Sequence, residues 1–203
     1  MSNLSRALLF GSVGMDAVFA FVVVPNLKYD ADTQTLSMYL PTSIVVDKSN
    51  VDSSRLAIKV KVGREWEKKS IGQNIYGAKV VITKYFRETF ELAIHNMSSF
   101  KSSIFEFEDE YHRNNQVFVS QVKKKPAEAQ DAKNKNKIAA LILAKLTPPY
   151  ISEGHIILGP TFEFPSGSYS KMFYVDVDVM EIWFYDKTTG AIMAKIKRED
   201  KNP

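Results

Sequence analysis

The stretch Ala78-Lys79-Val80-Val81-Ile82-Thr83-Lys84-Tyr85-Phe86-Arg87-Glu88-Thr89-Phe90-Glu91-Leu92-Ala93-Ile94-His95-Asn96-Met97 decides how the chain is read. Ile82, Phe86, Phe90, Ala93 and Met97 recur at intervals of four, four, three and four residues. That spacing is one stripe of an amphipathic helix, with Lys84, Arg87, Glu88 and Glu91 off it. A helix of this kind buries its stripe only against a sheet or another helix. The reading is therefore a helix over 78–97, laid on strands that come before and after it.

Those strands are visible on both sides. From Arg55 to Val62, Leu56, Ile58, Val60 and Val62 alternate with Arg55, Ala57, Lys59 and Lys61. This is the period of two of a strand with one wet face. Upstream, Phe21–Val24 and Leu36–Leu40 flank the polar link Tyr29 to Gln34, whose Asp and Thr residues favour a hairpin turn. Ser43 to Asp47 reads as a short strand beginning after Pro41. Downstream, Ile104 to Glu108 and Gln116 to Val122 are further strands. Pro126 and Glu128 then suit the start of a second helix, running to about Leu146 and stopped by Pro148-Pro149.

The last third reads as strand throughout. Phe173, Val175, Val177 and Val179 form one face, with Tyr174, Asp176 and Asp178 opposite. Ile182 and Phe184 then carry the apolar face at even numbers. The slip in parity predicts a β-bulge near Met180-Glu181. Asp186 to Gly190 is a hairpin loop with Gly190 at the positive-φ position, and Ile192, Ala194 and Ile196 return on the partner strand. Tyr185-Asp186-Lys187-Thr188-Thr189 repeats the Tyr-Asp-x-x-Thr pattern of Tyr29 to Thr33. Shared turn chemistry explains that echo without a duplication. The fold expectation is one α+β domain over residues 1–203, mainly an antiparallel sheet, with two helices packed on one face and a long C-terminal hairpin. Residues 1–20 read as an N-terminal arm entering a strand, or as an uncleaved signal-like segment broken by Asp16. Residues 198–203 read as a frayed tail. The element order resembles that of small envelope lipoproteins, in which strand–helix units precede a long C-terminal hairpin. The lipidated cysteine of such proteins is absent here.

The chain has 203 residues, 45% of them hydrophobic and 25% charged, and no cysteine. Disulfides, thiolate metal sites and cysteine nucleophiles are therefore excluded. The net charge of +4 is local, because residues 123–145 hold seven lysines against Glu128 and Asp131. Lys123, Lys124, Lys125, Lys133, Lys135 and Lys137 are thus the candidate polyanion contacts. The segment lacks arginine and aromatic residues, so bidentate phosphate forks and base stacking are missing from it.

His95, His112 and His155 stand apart at no metal-ligand spacing. Glu106 and Glu108, with Asp109 and Glu110 beside them, form the densest carboxylate group. They and the pair Asp176 and Asp178 read as wet strand faces before they read as acid–base sites. Phosphate-binding glycine motifs and a nucleophile elbow do not occur. No catalytic residue, metal ligand or cofactor is assigned, and no transmembrane span is expected. Trp183, Tyr185 and Tyr174 are the candidate partner surface, because β-strand parity turns them away from Ile182 and Phe184. The expected function is a non-enzymatic assembly protein acting through sheet edges and aromatic faces, by self-assembly or with protein partners. A cell envelope, periplasm or virion setting is favoured over cytoplasm. The alternatives are a nucleic-acid-binding module using residues 123–145, and then an enzyme with a carboxylate site.

Overall fold

A computed structural model describes residues 17–44, 56–73, 76–96, 99–100, 104–108, 114–134, 136–161 and 163–199. The strands are β1 (Val18–Val23), β2 (Asn26–Asp30), β3 (Thr35–Ile44), β4 (Leu56–Gln73), β5 (Lys79–Ile94), β6 (Ile104–Glu108), β7 (Asn114–Lys123), β8 (Ile138–Leu158), β9 (Ser166–Asp186) and β10 (Ile192–Lys197). The α-helix among the described residues is α1 (Pro126–Asn134). All ten strands belong to one sheet in the order β1-β8-β9-β5-β4-β3-β7-β6, with β10 added on β9 and β2 on β3. The β5–β9 pairing is parallel, and the other pairings are antiparallel.

The sheet curls into a half-barrel because β3 changes partners along its length. Residues 35–41 of β3 pair with β7, and residues 42–44 pair with β4. Pro41, which has no N–H to donate, stands at the change. Leu36, Met38, Leu40 and Phe118 are thereby folded over Ile138, Ile142, Val177, Val179, Ile182 and Phe184, and all of these share one buried core. Helix α1 contributes Ala129 and Ala132 to the same core.

The expected α+β arrangement of two helices on a sheet is overturned. Residues 79–94 are strand β5. The spacing of four in Ile82, Phe86 and Phe90 is also twice the strand period, so these side chains share a face in either conformation. Content breaks the tie. Val80, Val81, Ile82, Thr83, Tyr85, Phe86, Thr89 and Phe90 are β-branched or aromatic and fit a pleated surface. The second expected helix is cut to nine residues. It ends where Asn136 turns left-handed at φ 47° and the Lys137 N–H reaches back to the Ala132 carbonyl at 3.1 Å. Ala139 to Leu146 are good helix formers, yet they run on as β8 between β1 and β9. Burial of Ile138, Ala140, Ile142 and Ala144 in the core outweighs that local preference. Pro148-Pro149, joined by a cis peptide bond, does not end an element. It lies in an irregular stretch between Leu146 and Ile151, after which β8 resumes its pairing with β9. With one nine-residue helix among the described residues in place of the two expected, the likeness to envelope lipoproteins lapses.

The C-terminal hairpin forms as β9 and β10. Leu143 pairs with Glu181 and Ala144 with Val179, so Met180 is the extra residue that shifts the parity. Val177, Val179, Ile182 and Phe184 thereby all reach the core.

The edge of β9 has a gap between the end of β5 and the start of β10, and Asn96 fills it. Its side-chain amide donates to the Val179 carbonyl at 2.7 Å and accepts from the Val179 N–H at 2.9 Å. The His95 N–H bonds to the Val177 carbonyl on one side of this clamp, and the Arg198 N–H bonds to the Met180 carbonyl on the other.

The two Tyr-Asp-x-x-Thr turns use the same device. Asp30 Oδ1 accepts from the N–H groups of Asp32 (3.0 Å) and Thr33 (3.2 Å). Asp186 Oδ1 accepts from those of Thr188 (2.7 Å) and Thr189 (3.1 Å). The Thr33 hydroxyl and the turn N–H groups, helped by Lys123, hold the Asp30 carboxyl below its ordinary pKa. The N–H groups of Thr189 and Thr188, helped by Lys137, do the same for Asp186. A depressed carboxyl supports the fold fully above its unfolded-state pKa of about 4, and that support is lost as pH falls through the lower folded value. Both turns therefore loosen below about pH 4, which is read as faster amide exchange at Thr33 and Thr189. Asp186→Asn keeps an acceptor but cannot titrate, so it removes the acid dependence at Thr189 alone.

Candidate functional site

Strands β4, β5, β9 and β8 outlast their neighbours. The β3 pairing of β4 ends at Ile58, and the β1 pairing of β8 ends at Lys145. Beyond those points four strands project as an extension of the sheet, and residues 61–71 of β4 are exposed.

Register brings three aromatic residues into line across one face of this extension. Trp66 lies opposite Phe86, and Phe86 opposite Tyr169. The Trp66 and Phe86 rings stack with centroids 5.1 Å apart and planes 5° from parallel. Phe86 and Tyr169 stack at 5.0 Å and 17°. These spacings match the distance between neighbouring strands, so each ring stands upright and turns its face to the next ring. The outward surface is a row of ring edges. Nearer the core, Phe90 and Phe173 form a second stack at 5.3 Å. Cations flank both stacks. Lys84 Nζ is 5.7 Å from the Tyr169 ring centroid, and Lys171 Nζ is 4.5 Å from that of Phe173. An open groove of about 570 Å³ runs over the same strands, lined by Trp66 and Phe86 and by Glu65, Glu67, Tyr85, Arg87, Ser168 and Ser170, whose strand parity is opposite to that of the ridge. Arg87 is held there by Glu65.

The surface expected at Trp183, Tyr185 and Tyr174 is redistributed. Tyr174 is 2% exposed and packs with Ala57, Ala93 and Met172 in a second small core. It is not a surface residue, because β9 is covered on both faces at its centre. Gly154, on the neighbouring strand, makes room for the ring; a Cβ there would lie 2.9 Å from Tyr174 Cε2. Trp183 and Tyr185 are half-buried on the face opposite Ile182 and Phe184. Lys195 Nζ sits 4.0 Å from the Trp183 ring centroid, and its indole N–H bonds to Glu181. The chain itself thus satisfies much of Trp183.

The lysines are not gathered into a free patch. Lys123 Nζ donates to the Thr33 carbonyl at 2.8 Å and to the Thr35 hydroxyl at 3.2 Å. Lys124 pairs with Glu128 at 3.7 Å. Lys137 pairs with Asp131, and that bond, more than the nearby Asp186 charge, raises its pKa. Lys125 and Lys133 are exposed. Lys135 lies outside the described residues, as do residues 1–16, Asp109, Glu110 and His112. Glu106 and Glu108 fall on β6, beside β7.

Asp176 does not lie on the wet strand face expected of it; it is fully buried. Its Oδ1 meets His95 Nε2 at 2.8 Å, and its Oδ2 accepts from the Ser152 hydroxyl at 2.8 Å. Asp178 is half-buried opposite Lys145. Glu91, 5% exposed, accepts from the hydroxyls of Thr89 at 2.9 Å and Ser43 at 3.2 Å. Hydrogen bonding of this kind offsets the cost of burying a carboxylate. In the cluster of Ser152, Asp176 and His95 the carboxylate lies between hydroxyl and imidazole. An activated serine nucleophile instead needs its hydroxyl on the imidazole. The arrangement therefore supports packing and not acyl transfer. Among the described residues no group of three or more His, Asp or Glu side chains is placed to hold a metal ion.

Sequence reasoning passed over Trp66, Phe86 and Tyr169 as a group. Phe86 reads as part of a helix stripe and Trp66 and Tyr169 lie outside the strands expected from the sequence, and their alignment depends on two registers between distant segments. No protein-family model, curated protein or solved structure matches the chain. Among the described residues no helix is long and apolar enough to cross a membrane.

Proposed function

We propose that the protein is a non-enzymatic assembly component whose projecting sheet binds a protein partner through the ridge of Trp66, Phe86 and Tyr169. The ridge carries this reading. Trp66, on the outer strand of the extension, keeps 43% of its surface exposed at the open end of the stacked row. Ordered aromatic rows are costly to leave in water and anchor interfaces well. The upright rings also favour protein over nucleic acid. A base stacks on a ring face, and the faces of this ridge are largely used by one another. Lys123, Lys124 and Lys137 are engaged within the chain, which weakens the polyanion alternative further.

The test is the size of the native particle. Trp66→Glu should reduce the mass found by sedimentation of the protein in a native extract of its source, while the thermal midpoint of the purified chain stays within a few degrees. Wild-type protein that sediments at its own 23.0 kDa in both the extract and the purified state would refute the assembly reading.

A further inference from the structure

We propose that the far end of the extension docks onto an anionic lipid surface. The β4–β5 turn and the β8–β9 connection lie at this same end, since Gln73 pairs with Lys79, Thr83 with Ser166 and Leu158 with Ser168. Large apolar side chains crowd it in the open. Tyr76 is 87% exposed, Ile71 73%, Phe164 71%, Leu158 64%, Ile157 61% and Val81 57%.

Charge selects the occupant. Residues 68–84 contain Lys68, Lys69, Lys79 and Lys84 and no acid. Across the end, residues 155–168 add a single acid, Glu163. Lys69 shares its charge with Glu67 at 3.3 Å, both side chains being at least half exposed. The others leave a basic excess around the apolar tip. Cations together with exposed aromatic and aliphatic groups match the headgroup and upper acyl region of an anionic bilayer.

The directions of the apolar groups favour a bilayer over a protein. Ile71 and Val81 pair across one face of the sheet. Ile157 pairs with Tyr169 on the face of the aromatic ridge. Tyr76 and Phe164 lie in the two connections. A protein partner seated on one face would leave the other residues in water. A bilayer entered end-on receives all of them, and shallow entry keeps the unpaired strand edges near water.

The inference does not depend on the assembly reading, and its test uses the purified full chain. Flotation is measured with phosphatidylcholine vesicles, alone and mixed with phosphatidylserine, at low and high salt. Wild type should float with the mixed vesicles, and less so in high salt. Lys68→Gln with Lys79→Gln should weaken partitioning roughly thirtyfold, since each lysine near such a surface contributes about fivefold. Tyr76→Ser with Phe164→Ser should abolish flotation with an unchanged thermal midpoint, because both side chains are exposed. Absence of wild-type flotation with the mixed vesicles would overturn the proposal. So would full flotation of the Tyr76/Phe164 variant, or a change in its sedimenting mass with lipid binding intact.

Discussion

Phe184→Ala lowers the free energy of unfolding by about 3–5 kcal/mol, whereas Trp183→Ala, one residue away, costs clearly less. Phe184 has no exposed surface and sits among Ile142, Val179 and Ile182 in the main core. Its removal opens a cavity where strands on both sides are fixed by their pairing, so little of the space can close. Trp183 points to the other face, where its ring is half-covered and its cover includes the flexible Lys195. Urea unfolding measures the difference. The midpoint of Phe184→Ala should fall sharply with an unchanged slope. Equal losses for the two variants would mean that β9 is not sided as described.

Asn96→Ala should cost about 2–6 kcal/mol, taking 1–3 kcal/mol for each of the two polar groups left without a partner. The Val179 N–H and carbonyl both depend on the Asn96 side chain, and Val179 is fully buried. No neighbouring strand stands ready there, because β5 pairs with β9 only up to Val177 and β10 from Glu181. Hydrogen exchange supplies the local readout. The Val179 amide should lose protection far more than the Ile182 amide does. Asn96→Asp keeps an acceptor for the N–H and loses the donor to the carbonyl, so the Val179 amide should remain better protected than in the alanine variant. An alanine variant as stable as wild type would refute the clamp.

Several elements could be read directly from neighbouring residues. The alternation of Leu56, Ile58 and Val60 marks the core half of β4. The parity slip between Val179 and Ile182 marks the bulge at Met180. The Tyr-Asp-x-x-Thr pattern marks two turns that close with the same carboxylate hydrogen bonds. In each case the deciding interaction lies within a few residues, or depends on which strand face is apolar. The segment 78–97 failed because a spacing of four satisfies both the helical and the strand period. Residues 138–146 failed for a different reason. Their helix preference is worth tenths of a kilocalorie per residue, which burial between β1 and β9 exceeds.

The candidate site was legible only in its parts. Trp66, Phe86 and Tyr169 are visible as single aromatic residues, but nothing near any one of them says that it lies on a strand of this sheet or which strands are neighbours. Tyr174 and Asp176 read as outward residues because alternation reports two faces and not what covers each. By itself the sequence determined the local terms: strand periodicity, turn capping, the break in parity and the absence of thiol chemistry. Tertiary structure decided the rest, namely the curl at β3, the parallel register of β5 on β9, the burial of Asp176 and the aromatic ridge. The physical reason is that each of these depends on pairing between segments far apart in the chain, where burial and backbone hydrogen bonding outweigh local preference.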